Sequence, residues 1–317
     1  MLSFREFTDE FVTGCNCALK KEHGSTIRVE PGMVTKPQRG ELTGLRFIKE
    51  GSRVAPTLYA EDLYSRYTRG CPVDRITTEA IESIRQSFEI ALPFPEDDFD
   101  LPSMAEDIRL RLLSRERNPA IAESVPNMDV GGGLMLITDV VRGDFRAMIT
   151  NDLLKDFDIT KDELFDIAFE NIPENEAVMF GLSEMVYSEP GERREFLSED
   201  ETEPLPEDFE VFVLSNRENY WGAAALFYPG IMDRLHDMLG DFYVIPSSVH
   251  ELLILKTSAD ADPNNIAEMI WSANRSVVDE EEVLSDDLFI CDSDKLRVAV
   301  RGGSGCKCGC EDEREAD

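Results

Sequence analysis

The sequence predicts an α+β fold of mixed sheets with flanking helices, and three observations carry that prediction. Strand and helix signals both recur along the 317 residues, yet they come in runs and lack the strict strand–helix alternation of a parallel α/β sheet. Several strand signals lie close together around turn residues, as in antiparallel hairpins. Residues of the AVILMFWYC set make up 42% of the chain, enough to build a core.

At the N-terminus, Ser3 with Glu6 forms a capping box, Leu2 and Phe7 stand at its staple positions, and Phe11 continues the apolar face of a first helix. Ile27 and Val29 alternate with Arg28 and Glu30, and Leu45 and Phe47 flank Arg46, so two half-buried strands follow with Pro-Gly turns between them. A third strand, Val54 to Tyr59, contains Pro56 and is therefore an edge strand or broken there. Ile76, Ala80, Ile81, Ile84 and Phe88 share one helical face. Ser103 with Glu106 reads as the cap of a further helix carrying Ile108 and Leu112.

Leu134 to Val141 and Phe145 to Thr150 read as a hairpin, and Thr160 with Glu163 opens a helix bearing Leu164, Ala168 and Ile172. Gly131-Gly132-Gly133 reads as a flexible hinge, because it precedes a strand and cannot aim a helix at a phosphate. Beyond residue 208, Glu210–Leu214 and Ala223–Tyr228 are strand signals, and Ile231 to Leu239 is a helix closed by Gly240. Phe242–Ile245 and Glu251–Lys256 are strands. Asp262 with Pro263 opens a helix, and Leu288–Cys291 with Leu296–Val300 is a closing hairpin.

Residues 189–208 hold nine acids and three prolines, which predicts an exposed, mobile linker. The expected organisation is a lobe over 1–188, the linker at 189–208, a second lobe over 209–301, and a disordered Cys-rich acidic tail over 302–317. In that tail Gly302-Gly303-Ser304-Gly305 is a spacer and Glu311-Asp312-Glu313 a solvating end.

The formal net charge of −33 repels phosphate backbones and anionic lipid headgroups, so direct nucleic-acid binding and membrane binding are not expected. No apolar run approaches the roughly 18 residues of a membrane helix, and Arg5 and Glu6 put charge where a signal peptide needs its apolar stretch. Seven cysteines, an odd number with Cys71 and Cys291 isolated, do not read as a secreted disulfide framework, and the expected location is the cytoplasm.

The stretches Leu42-Thr43-Gly44-Leu45-Arg46, Val54 to Tyr59, Ala147-Met148-Ile149-Thr150-Asn151-Asp152, Val213-Leu214-Ser215-Asn216, Tyr228-Pro229-Gly230 and Phe242 to Glu251 carry a resemblance. The chain resembles, to about Val300, the domain-of-unknown-function family numbered 5688, found mainly in Clostridia. The resemblance implies a self-contained bacterial domain and no defined chemistry. Phe157-Asp158 stands where it implies a Trp-Gly pair, and the Cys-rich tail lies outside its pattern.

Two constellations contain reactive residue types. Ser247, Ser248, His250 and Glu251 place hydroxyls, an imidazole and a carboxylate together, the ingredients of a nucleophile with its base and orienter. Residues two or three apart around a turn rarely align them, and no Gly-x-Ser-x-Gly elbow is present, so a structural role is expected. Cys306, Cys308 and Cys310, with Cys15 and Cys17, offer thiolates, but at Cys-x-Cys spacing where zinc favours Cys-x₂-Cys. His23, His236 and His250 have no metal-binding spacing. No cofactor is expected. The leading expectation is a cytoplasmic module, not an enzyme, that binds another protein or a peptide. A hydrolase centred on Ser247–Glu251 and an acidic mimic of nucleic acid are the alternatives.

Overall fold

The computed structural model of the chain describes residues 1–21, 26–52, 55–89, 100–143, 145–188, 193–198, 205, 211–257, 261–292 and 295–303. The chain divides into two compact units: Met1–Ala105 with Val141–Arg146, and Glu106–Val140 with Ala147–Asp317. This division does not coincide with the one expected from the sequence, since 189–208 falls inside the second unit.

In the first unit, α1 (Phe4–Lys21) starts at the expected box. The Ser3 amide donates to Glu6 Oε2 at 2.8 Å and the Glu6 amide to Ser3 Oγ at 3.3 Å. Phe7, Phe11, Cys15 and Leu19, each four residues on, form the buried stripe of the helix. It packs on a three-stranded antiparallel sheet of β1 (Ile27–Lys36), β2 (Gly40–Lys49) and β3 (Thr57–Tyr59). Val29, Leu45 and Phe47 from that sheet join Leu63 of α2 (Ala60–Thr68) and Ile76, Ala80, Ile81 and Ile84 of α3 (Val73–Glu89) in one core.

Pro31-Gly32 lies inside β1, opposite Leu45 and Gly44, and the turn comes at Pro37-Gln38-Arg39. Proline is tolerated there because β1 is an edge strand and needs no donor at that position. β3 begins only after Pro56; Val54 lies outside the described residues.

The expected helix over Ser103 to Leu112 is a correction. α4 is a single turn, Leu101–Met104, capped by Asp100, and Ile108–Ser114 is strand β4. Ile108, Leu110 and Leu112 alternate with Arg109 and Arg111, which is the period of a strand. That period outweighs the cap-like Ser103 and Glu106.

After β4 the chain forms α5 (Pro119–Ser124), β5 (Asn127–Gly131), β6 (Leu134–Arg142), β7 (Phe145–Met148), α6 (Asn151–Asp156) and α7 (Lys161–Glu170), all in the second unit except the end of β6 and the start of β7, which fall within Val141–Arg146. After α7 come β8 (Ala177–Gly181), α8 (Leu182–Tyr187), β9 (Val211–Asn216), a 3₁₀ helix over Gly222–Phe227, α9 (Ile231–Leu239), β10 (Phe242–Ile245), β11 (Leu252–Lys256), α10 (Pro263–Ser276), β12 (Leu288–Asp292) and β13 (Lys295–Val300). The strands form one sheet in the order β4-β6-β5-β13-β12-β10-β11-β9-β8, with β7 on β6. β13 and β5 are parallel. The fold is α+β, as the sequence predicts.

Three further expectations are corrected. Gly131, Gly132 and Gly133 have φ of +89°, +61° and +80°, and a Cβ at Gly131 or Gly132 would collide with the Leu296 carbonyl or the Phe289 ring. They make a packed turn, not a hinge. Ala223–Tyr228 is not a strand, because its small side chains are buried in the 3₁₀ helix.

Within 189–208, Arg193–Ser198 is docked. Phe196 is 1% and Leu197 2% exposed, and the Phe196 amide donates to the Met179 carbonyl of β8 at 2.7 Å. Two apolar side chains anchor that part against the charge around them. Asp158, where the resemblance implies glycine, has φ +54° just after α6, the left-handed position that glycine takes most easily.

Candidate functional site

The loop between β10 and β11 holds Ser247, Ser248, His250 and Glu251, and the structure brings them together without making a nucleophile. Ser247 Oγ donates to Glu251 Oε1 at 3.0 Å. The His250 amide donates to Ser248 Oγ at 3.0 Å, and the Ser248 amide to the Glu251 carbonyl at 3.2 Å, closing a tight loop on itself. The imidazole faces elsewhere. Its Nδ1 accepts the Trp221 amide hydrogen at 3.1 Å, which puts the ring proton of neutral His250 on Nε2, 3.7 Å from the Glu282 carboxylate. Among the described residues no serine hydroxyl is hydrogen-bonded to the imidazole, so neither Ser247 nor Ser248 stands as an activated nucleophile beside it.

These atoms hold the segment after β9. Asn216 accepts from the Tyr220 amide at 3.1 Å and donates to the Tyr220 carbonyl at 2.9 Å, while Ser215 Oγ donates to the His250 carbonyl at 2.8 Å. Gly222 enters between them, where a Cβ would collide with Ser215 Oγ and the His250 carbonyl. Trp221 sits in the left-handed region at φ +56° and is buried. Tyr228 is buried nearby, and burial first, with Glu176 and Glu218 adding to it against a hydrogen bond from Asn216, pushes its phenol up to about 12.

Sequence reasoning missed the ion pair behind Trp221. Arg111 of β4 and Asp139 of β6 meet at 2.8 Å with side chains 10% and 2% exposed, and the Arg111 guanidinium lies 4.2 Å from the Trp221 ring centre. Antiparallel register sets Arg109 opposite Asp139, which puts Arg111 on the diagonal. The only trace in the sequence is a charge in each of two apolar runs.

Cys15 and Cys17 do not converge on a metal. Cys15 is buried in the first unit's core, where burial pushes its thiol up to about 12, and Cys17 is exposed two residues along the same helix. Cys306, Cys308 and Cys310 lie outside the described residues, as does His23. Among the described residues no group of three metal-ligating side chains forms, and no helix is long and apolar enough to cross a membrane.

Among the described residues, the first unit offers an open main-chain edge. The Phe47 amide donates to the Pro56 carbonyl and the Thr43 amide to Glu61 Oε1, so both turn away from β1. Their partners in the register, Val29 and Met33, therefore turn away from β2, and Pro31 and Thr35 share that parity. Asn16 of α1 takes up Val29, donating to its carbonyl at 3.1 Å and accepting from its amide at 2.9 Å. Past Pro31, which has no amide hydrogen, Met33 and Thr35 point their main-chain groups outward, and the Met33 side chain is 66% exposed.

No curated protein and no solved structure matches the chain. One family model, described as a family of unknown function (DUF5688), matches residues 5–293. That span runs from α1 to just past β12 and leaves out the Cys-rich tail, and the chain belongs to that family.

Proposed function

We propose that the protein is a cytoplasmic protein- or peptide-binding module that takes an extended segment of its partner as an added strand on β1. The observation that carries this reading is the outward-facing Met33 and Thr35 backbone beside an exposed methionine. An extended peptide satisfies such groups with main-chain hydrogen bonds, and side chains on alternate faces give selectivity. The cytoplasmic setting is supported by the free thiols Cys15, Cys17, Cys71 and Cys291, and the absence of direct nucleic-acid contact by the charge of −33.

The hydrolase reading has little support, because Ser247, Ser248 and His250 spend their polar atoms on loop backbone and Glu251. The mimic reading rests on the charge of −33 alone; a mimic needs carboxylates on a rigid face, and many of the acids lie in 189–208 and 311–317, which, Glu195 apart, are outside the described residues. A pull-down from the native host with the wild-type chain and with Met33→Pro tests the proposal. A partner held by the wild type and lost from a Met33→Pro chain of unchanged thermal melt supports it; a partner held equally by both overturns it.

A further inference from the structure

Resting on that reading of β1, we infer that the strand it accepts is acidic, with a carboxylate placed to meet Arg46 through the gap that Gly32 leaves. Arg46 lies on β2, one strand in from the open edge, in register with Glu30. Its side chain crosses β1 at Gly32: a Cβ there would sit 3.1 Å from Arg46 Nη2. Any larger residue would fill the path the guanidinium takes. Arg46 is exposed and feels the Glu30 carboxylate, and its guanidinium makes no hydrogen bond or ion pair among the described residues. Glu30 is itself bound by Arg28 at 2.7 Å, and that hydrogen bond holds its carboxyl below the usual range.

The surrounding charge has the same sign as Arg46. Lys36 shares its face of the sheet, with its amine 4.7 Å from the Tyr59 ring centre. The hairpin as a whole carries Arg28, Lys36, Arg39, Arg46 and Lys49 against Glu30 and Glu41, in a chain whose net charge is −33. A guanidinium pairs best with a carboxylate in its own plane, and a strand added beside Gly32 presents every second side chain to that face. A second copy of the chain fits the edge less well. Antiparallel pairing about Met33 would bring two Arg46 guanidinia to the same face of neighbouring strands, like charge against like.

The test uses the full chain and two labelled peptides, Thr-Glu-Val-Glu-Val-Glu-Thr and the same peptide with lysine for glutamate, read by fluorescence anisotropy. The acidic peptide is expected to bind at least about tenfold tighter than the basic one. Arg46→Glu should remove about that factor, and added salt should weaken binding as screening demands. Methylating alternate amides of the acidic peptide removes its main-chain donors without touching the protein and should abolish binding.

Equal binding of both peptides overturns the charge inference and leaves strand addition standing. Acidic binding that survives amide methylation overturns strand addition itself. Failure of both peptides to bind overturns the inference, as does a dimer that Met33→Pro dissolves, which would make a second copy the occupant.

Discussion

The two sheets treat their edges differently. β8, at the edge of the large sheet, is closed by chain: Phe196 bonds the Met179 carbonyl, its ring stands edge-on to Phe212 at 5.5 Å, and Arg234 donates to the carbonyls of Leu197 at 2.9 Å and Ser198 at 3.0 Å. Arg217 clamps Glu195 of the same segment at 2.9 Å. β1, at the edge of the small sheet, is closed at Val29 by one side-chain amide, and at Pro31 the chain supplies no donor. An edge invites pairing with another chain, so a long open one is normally covered or charged. The difference teaches that a segment read as a linker can serve as a cover when two apolar residues anchor it, while the open main chain lies in a hairpin that looks complete.

The largest expected effect breaks the cover. Phe196→Ala should cost about 3–5 kcal/mol in chemical denaturation, the range for emptying a buried phenylalanine site, and proteolysis should then cut near 193–198 first. A loss under about 1 kcal/mol would mean the segment does not hold β8.

Comparable in size is a change in the β4–β6 pair at the opposite end of the same sheet. Asp139→Ala leaves the Arg111 guanidinium buried without its carboxylate and should cost about 3–5 kcal/mol, whereas Arg111→Met with Asp139→Leu should recover much of it. A single substitution as mild as the double would show that the pair is not desolvated.

Asn16→Ala strips the amide from Val29 and should cost about 1–3 kcal/mol, because a buried donor and acceptor are left unmade. It lengthens the open edge of β1 by one pair, so the acidic peptide should bind the variant at least as tightly as the wild type. An unchanged melt would remove the plug from the comparison.

The smallest effect lies at Glu176, just before β8. Burial first, then repulsion by Glu218, raises its pKa above the ordinary 4.5. A raised carboxyl favours the protonated native state, so the stability it contributes is present below pH 4.5 and lost as pH rises through the folded value. Glu176→Gln should therefore raise the melting temperature at pH 7 and leave it unchanged below pH 4.5. The opposite pH dependence would show that Arg217 and Arg109 dominate there.

Elements whose signal is local were legible. The Ser3–Glu6 and Thr160–Glu163 boxes, the Asp262-Pro263 start and the Gly240 stop depend on residues within a turn of one another. Where two local signals competed the weaker one misled, as at Ser103 and Glu106, whose cap pattern ended after one turn ahead of the alternating Ile108–Leu112. In the loop at Ser247–Glu251 the residues were legible but not their partners, since Trp221 and Glu282 come from other parts of the chain.

By itself the sequence determined that this chain folds as α+β, where α1, α7, α9 and α10 begin and where α9 ends, which residues form the buried stripe of α1, and that the chain is strongly acidic. These follow from backbone propensity, short-range hydrogen bonds and the period of apolar residues, all of which act over a few positions. Only the tertiary structure decided that Phe196 covers β8, that Arg111 and Asp139 meet beneath Trp221, that His250 turns from its neighbouring serines to the Trp221 amide, and that β1 keeps an open edge at Met33. Each joins residues distant in sequence, or depends on which side of a strand faces a neighbour. Register and sheet order set those contacts, and no local pattern encodes them.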